Sequence, residues 1–528
     1  MLTNNFVWLP YLNGAIPEEA MKKRMSMYTI ALEAWRRGIS LSFYQKIEDG
    51  KKQYDYKLTY GDKTHYFQGS MGDLITPEAV TICGDKSLTY QYLEQAGVPI
   101  PQGKTFNQSH ADHEIIEYAR QLTYPLVLKP TDGSGGKGVF ANIQTETELS
   151  HAIKMVRGKL GCQEVILQQH IEGKEVRIYV FKDKVLSAIN RVPGNVIGDG
   201  EQTIRELLKE KNELRKISPH LYYQPMRINA ELYRNLKEQN CTLETIPPKG
   251  QQIYLRKTSN ISTGGDPIDY TDKLSDQLKE IAVKARQAIP GLLHSGIDMI
   301  IDEENNRGVI IELNTRPGLG FHLFPLEGRA VDVPKYMIDY YFPETKYHKR
   351  KHTNIYFNLK SAFASLEHDS LAEVEIKDSP ENELIGKCIQ LTFKYHSRNK
   401  IKKIQQLALT NNLNGWLDKK SRRNIDLVIA VEDEDKLNHF IKALEGAFGK
   451  KIIDLKVEEY SQPIQMGFEI KGSPRDQRPE IIAFDLSELE KNMNALRRTA
   501  SGHKRRIKAM LDKAVKGLKT PFQRVLSK

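Results

Sequence analysis

The chain has 528 residues, 39% of them hydrophobic and 27% charged, with a formal net charge of +11. That is too long for one apolar core and points to roughly three or four units of a globular protein. No apolar run approaches the about 18 residues a membrane span needs.

The first residues, MLTNNFVWLPYLNG, lack the basic and apolar regions of a secretory signal. Cys83, Cys162, Cys241 and Cys388 form no CxxC pair, which argues against zinc and a disulfide framework and suits a cytoplasmic location. Residues 1–81 read as a small α/β unit. Pro17 to Arg37 has helical spacing, with Met21, Met25, Tyr28, Ala31, Leu32 and Trp35 on one face. Ile39 to Tyr44 and Tyr54 to Gln68 read as strands. In CGDKSLTYQYLEQAGVPIP, Asp85 can cap a helix that Gly97 ends. Lys86 falls in its first turn.

Leu126 to Phe140, LVLKPTDGSGGKGVF, is a buried strand running through Lys129 into a loop of four glycines. Without Cβ atoms such a loop can present several backbone N–H groups to a phosphate. It matches neither GxxxxGK[ST] nor GxGxxG. A hairpin turn and a nucleotide loop both fit it at this point.

A helix over Glu146 to Arg157 precedes VILQQHIEGKEVRIYV, which reads as strand, hinge, turn and strand, with Glu175 and Arg177 on one side. A polar, helix-rich insertion covers about 198–250. The stretch Arg256 to Asp272 is dense in hydroxyls, amides and glycines, either plain loop or short donors for a carboxylate. Leu274 to Ala288 is an amphipathic helix. Gly296 to Ile301 and Val309 to Asn314 form a hairpin carrying Asp298, Glu312 and Asn314. Hard oxygens on adjacent strands suit Mg²⁺ with nucleotide phosphates. A salt bridge to Arg316 or Lys129 is the alternative.

These segments, in this order from about Ile82 to Pro343, resemble the ATP-grasp superfamily of carboxylate–amine ligases. The likeness is carried by DKxxT before AGVPxP, VLKP with its glycine loop, EGKEVR, GIDMI and IIELNTRPG. Within it, RVPGNVIGDGEQTIREL and the insertion ending in TSNISTGGDPIDYTD resemble the ATP-grasp part of cyanophycin synthetases, and more weakly that of bifunctional glutathione synthetases. No GKTTT-type P-loop follows, so polymer synthesis of the cyanophycin kind is not expected.

The resemblance implies an α/β ATP-grasp fold over 82–345 that uses ATP with one or two Mg²⁺, or Mn²⁺ in their place. It implies phosphate contacts for Lys86 and Lys129. A lid formed by Asp132, Gly133, Ser134, Gly135, Gly136, Lys137 and Gly138 would close over the β- and γ-phosphates. Gln168, Gln169 and Ile171 would form the adenine hinge, with glutamines where many relatives carry an acid. Glu175 would hold the ribose and Arg177 would face the transferring phosphoryl group. Asp298, Glu312 and Asn314 would be metal ligands. Ser262, Thr263, Gly264 and Gly265 would receive the acidic substrate, and Arg316 or the backbone near Gly264 would steady the oxyanion. The substrates are then a small-molecule carboxylate and an amine, joined through an acyl phosphate.

Residues 350–470 read as a β-α-β-β-α-β ferredoxin-like sandwich beginning at Val374 to Ile376. Gly415-Trp416 resembles the turn of acylphosphatases. HSRNK replaces the phosphate loop, and Asp418 and Lys419 stand where an asparagine is expected. The unit is therefore expected to be α+β, degenerate and non-catalytic, with a role in dimerisation or partner binding. Residues 471–528 read as a basic helical tail, with eleven Lys or Arg against one Asp from Ala495 onwards. An anionic partner for that tail is one expectation. A nucleotide-binding scaffold without catalysis is the competing reading of the whole chain.

Overall fold

The N-terminal sheet pairs with residues more than three hundred positions away, and this decides how the chain is organised. The computed structural model describes residues 6–48, 50–132, 138–348, 353–368 and 370–471. The lid positions Gly133, Ser134, Gly135, Gly136 and Lys137, and the basic tail from 472, lie outside the described residues. Helix α1 (Met25–Arg36) is followed by three antiparallel strands, β1 (Ser40–Glu48), β2 (Lys51–Tyr60) and β3 (Lys63–Gln68). The open edge of β1 is closed by Glu373–Ile376, with Phe43 opposite Val374 and Leu41 opposite Ile376.

This corrects the expectation for Val374 to Ile376, which is not the first strand of the C-terminal sandwich. Its Val-Glu-Ile alternation suits a half-buried edge, and β1 offers an unpaired row of backbone groups. Arg36 adds a second tie. Its buried guanidinium donates to the carbonyls of Tyr11, Thr353 and Ile355 at 2.7–3.0 Å.

Helix α2 (Lys86–Gln95) begins the central part of the chain. A sheet with the order β4-β7-β5-β6 follows, built from β4 (Gly103–Phe106), β5 (Leu126–Pro130), β6 (Phe140–Ile143) and β7 (Val165–Gln169). A second sheet has the order β10-β9-β8-β11-β12. Its strands are β8 (Lys174–Phe181), β9 (Lys184–Val192), β10 (Asp266–Asp269), β11 (His294–Asp302) and β12 (Arg307–Asn314). The inserted region contributes α3 (Ile204–Ile217) and its own apolar cluster around Leu207, Leu232 and Ile253. Helix α4 (Asp276–Gln287) packs Leu278, Ala282 and Ala285 against Ile297, Met299 and Ile310 on one face of the second sheet. On the opposite face Arg177 and Asp298 are cross-strand partners, while Tyr179 and Phe181 further along the same strand join the N-terminal apolar core.

Toward the C-terminus the order is strand, helix, strand, strand, helix, strand: β13 (Ile385–Phe393), α5 (Arg398–Thr410), β14 (Asn414–Lys419), β15 (Asn424–Val431), α6 (Glu434–Phe448) and β16 (Ile452–Glu459). These strands are antiparallel in the order β16-β13-β15-β14. Gly415 holds φ at 132°, and a Cβ there would run into the Val428 carbonyl. The next residue, Trp416, is buried in the same apolar core as α1, Phe357 and Phe363, with Tyr460 edge-on at 5.9 Å. Among the described residues no helix is long and apolar enough to cross a membrane.

Because Trp416 belongs to a core shared by both ends of the chain, Trp416→Ala should lower stability by roughly 3–5 kcal/mol. Denaturant unfolding should show it as a shift of the whole transition. Loss confined to a separate C-terminal transition would contradict the shared core.

Candidate functional site

Asp85 caps α2, its Oδ1 accepting from the N–H groups of Ser87 and Leu88 at 2.7 and 3.1 Å. The cap fixes the first turn, so Lys86 and Tyr90, four residues apart, share one face of the helix. Lys86 reaches Glu312, with Nζ 3.6 Å from Oε1. Tyr90 sends its hydroxyl to the Ile311 carbonyl at 2.9 Å. From the first sheet, Lys129 enters the same space from β5, whose residues are all buried. Lys129 is 4% exposed and donates from Nζ to the Tyr90 hydroxyl at 2.8 Å. Burial pushes its ammonium down to about 8, with Glu312 pulling the other way.

The opposite wall is the polar stretch of the second sheet around Arg177 and Asp298. Arg177 on β8 lies directly across from Asp298 on β11, and Asp298 directly across from Glu312 on β12. The register of β12 slips by one residue here, so Met299 faces Ile310 and Ile311 is extra. This bulge has a functional consequence. Strand residues alternate faces, so without it Glu312 would share the core-facing side of Ile310. With it, Leu313 takes the core side and Glu312 and Asn314 turn to the cleft.

Asp298 is 6% exposed and sits between two guanidinium groups. Arg177 takes both its oxygens, Nη2 to Oδ2 at 2.9 Å and Nε to Oδ1, and Arg191 approaches Oδ1 at 3.2 Å. Burial alone would raise this carboxyl, but Arg177 and then Arg191 outweigh it and hold it below the usual range. Arg191 also contacts Glu175, which accepts a second hydrogen bond from Ser259. Burial pushes the Glu175 carboxyl up, against the pull of Arg191.

Several expected residues are placed differently. The salt-bridge partners of Asp298 are Arg177 and Arg191, not Arg316 or Lys129. Arg316 is exposed, and its charge acts at Asp55 of the N-terminal sheet, where burial raises the carboxyl and Lys46 and Arg316 lower it. Gly264 is not a spare backbone donor, because its N–H is committed to the Ile261 carbonyl at 3.2 Å and that of Gly265 to Asn260 at 3.0 Å. Ser262 and Thr263 are exposed and bond back to Asn260. Their loop is held from the insertion by Arg215, which donates to the carbonyls of Ile261, Gly264 and Gly265. Of the hinge, Gln168 is buried and Oε1 lies 3.4 Å from the Tyr90 hydroxyl, while Gln169 and Ile171 are partly open. Asp132 is exposed and Gly138 takes a φ of 76°.

Tyr90, Arg191 and Ser259 were not anticipated. The four-residue step from Lys86 would have found Tyr90, but nothing local points Ser259 at Glu175.

Among the described residues no three of His, Cys, Asp or Glu come together to hold a metal. The expected divalent-ion set of Asp298, Glu312 and Asn314 would instead offer two carboxylates and an amide oxygen on adjacent strands. That is the hard-oxygen chemistry Mg²⁺ takes when phosphates complete its shell. The donor types fit such an ion, although Asp298 is already held by Arg177 and Arg191 and would have to be shared with it.

Residues 83–203 match the family model of an ATP-grasp domain. The chain is 30% identical over 329 residues to the glutathione biosynthesis bifunctional protein of Clostridium perfringens, covering 60% of this chain and 41% of that one. It is 32% identical over 294 residues to the cyanophycin synthetase of Trichormus variabilis, covering 54% and 32%. A solved bifunctional glutathione synthetase from Pasteurella multocida aligns at 29% identity and a TM-score of 0.44, over 57% of this chain and 41% of that one. The chain thus spans less than half the length of these relatives.

The buried ammonium gives a stability test. Lys129→Met should stabilise the ligand-free protein at pH 7 by roughly 3–4 kcal/mol, because about 1.4 kcal/mol accompanies each tenfold loss of proton affinity on folding. Between about 8 and 10.5 the unfolded chain holds this proton and the folded one does not. Raising the pH through that window stabilises the wild type and erases the gain. Denaturation midpoints at pH 7 and pH 10 measure both; a variant no more stable at pH 7 rules the strained charge out.

Proposed function

The chain carries an ATP-grasp domain, and from that premise we propose that it is an ATP-dependent, ADP-forming ligase. It would join an amino-acid or small-peptide carboxylate to an amine. The observation that carries this reading is the opposition of two walls. Lys86 and Lys129 stand on one, and Arg177, Asp298, Glu312 and Asn314 lie in register on the other. The names of the two relatives, a glutathione biosynthesis protein and a cyanophycin synthetase, support a ligase.

Phosphoryl transfer needs in-line positioning and cancellation of charge on the moving group. Lys129 and Lys86 hold the phosphates from the first wall. Asp298, Glu312 and Asn314 would hold one or two Mg²⁺, or Mn²⁺, which when bound offset the charge of the triphosphate. Arg177, fixed by Asp298, meets the γ-phosphoryl group as the substrate carboxylate attacks it, giving an acyl phosphate and ADP. The amine then adds to the acyl carbon and phosphate leaves. The tetrahedral oxyanion needs a donor, and the exposed Arg316 would supply it. Glu175 would exchange its Ser259 hydrogen bond for the ribose hydroxyls, and Gln168, Gln169 and Ile171 would receive adenine. The exposed Ser262 and Thr263 stay close enough in sequence to the anchored Gly264 and Gly265 to serve the carboxylate substrate.

The C-terminal sandwich is a degenerate acylphosphatase-like unit that supports the fold. The burial of Trp416 in the common core and the use of Asp418 in an ion pair with Lys420 at 2.6 Å favour this over hydrolysis.

The test is ADP release from Mg-ATP across a panel of amino-acid and dipeptide pairs. At least one pair should give stoichiometric ADP, and Glu312→Ala should cut that rate by roughly 10²–10³-fold. No ADP with any pair sinks the ligase reading, and full activity in the variant sinks the metal assignment.

A further inference from the structure

Tyr90 touches three separate parts of the cleft. Its ring lies under the Lys129 ammonium at 5.1 Å and its hydroxyl accepts from that ammonium at 2.8 Å. A phenol has a single proton to give. The Ile311 carbonyl at 2.9 Å is nearer than Gln168 Oε1 at 3.4 Å, so that proton goes to Ile311. Lys129 cannot accept, which fixes the direction of the chain: ammonium to phenol, phenol to carbonyl. Ile311 is the extra residue of the bulge that turns Glu312 and Asn314 toward the cleft. Among the described residues the ammonium has no other hydrogen-bond acceptor, and a buried charge without one is costly.

We propose that Tyr90 is a positioning residue that couples the two walls. Its phenol ties Lys129 on the first sheet to the bulge carbonyl beside Glu312 on the second, and so sets the span across which a nucleotide phosphate is held. The inference rests on the ligase reading only in that the cleft takes a nucleotide. It goes beyond that reading in assigning a residue that no phosphate needs to touch. Lys86, one turn earlier on α2, meets the same strand at Glu312, so the helix grips β12 at two adjacent residues.

Tyr90→Phe keeps the ring and removes only the hydroxyl. Calorimetric titration with Mg-ADP should show affinity falling by roughly 5–30-fold, as expected for losing hydrogen bonds to a charged group. The KM for ATP should rise while the KM for the carboxylate stays put; the unfolding midpoint should also fall, because the buried Lys129 ammonium loses its acceptor, so affinities are compared where both proteins are folded. The decisive arm is a double-mutant cycle with Lys129→Met. If Tyr90 acts through Lys129, its removal should cost less than about twofold in that background, since coupled neighbours are not additive. Unchanged ADP affinity in Tyr90→Phe overturns the inference, as does an equal loss in both backgrounds. A wild-type protein that binds no Mg-ADP at all overturns the inference and the nucleotide site together.

Discussion

Asp298 sits in the interior with a guanidinium on either side, Arg177 gripping both oxygens and Arg191 leaning on one. Taking a carboxylate out of water costs several kcal/mol, and this geometry returns it only while the set is complete; losing one partner of such a pair typically costs about 3–5 kcal/mol. The set therefore does two jobs. It keeps Asp298 ionised inside a sheet whose other face is apolar, and it freezes Arg177 into a single direction. Glu175 and Ser259 extend the same chain of contacts to the rim, so the floor of the cleft behaves as one polar lattice.

The lattice needs the bulge of β12 to be useful. A regular strand would alternate Glu312 onto the side of Ile310, among Met299 and Leu278, where a carboxylate has no partner. One extra residue reverses the alternation and brings an acid and an amide oxygen level with Asp298 and Gly296. The helix opposite is set by its cap, which determines where Lys86 and Tyr90 point. Two local backbone features, a capped first turn and a one-residue slip, thus decide the electrostatics of the whole cleft.

Much of this was legible in the chain. The spacing of DKSLTY, the LVLKP strand and the alternation of Glu175 with Arg177 each mark their elements through local rules of capping and periodicity. The placement of Asp298 opposite Arg177 was not, because register between strands is set by packing and not by either strand alone. The same holds for Val374 to Ile376. Its pattern announces a strand but carries no address, and the nearest sheet in sequence had five strands of its own to fill it. The expectation of a spare donor at Gly264 failed for another reason. The four residues Ser262 to Gly265 look like an open loop in one dimension, yet a short turn and the Arg215 guanidinium consume their backbone groups.

The pairing of Ser40–Glu48 with Glu373–Ile376 has a consequence for how the chain comes to be folded. During synthesis the N-terminal sheet must wait for an edge strand more than three hundred residues downstream, and Arg36 waits for carbonyls at Thr353 and Ile355. At about 5–20 residues per second that delay is on the order of 20–60 s. Throughout it, Leu41 and Phe43 lie beside an unpaired row of amides, which is the situation that invites pairing with a second chain. Contacts this distant in sequence also slow folding itself. The interlocking that unites the finished molecule leaves its nascent form exposed at the same edge, and a chaperone acting on this protein has that strand to shield.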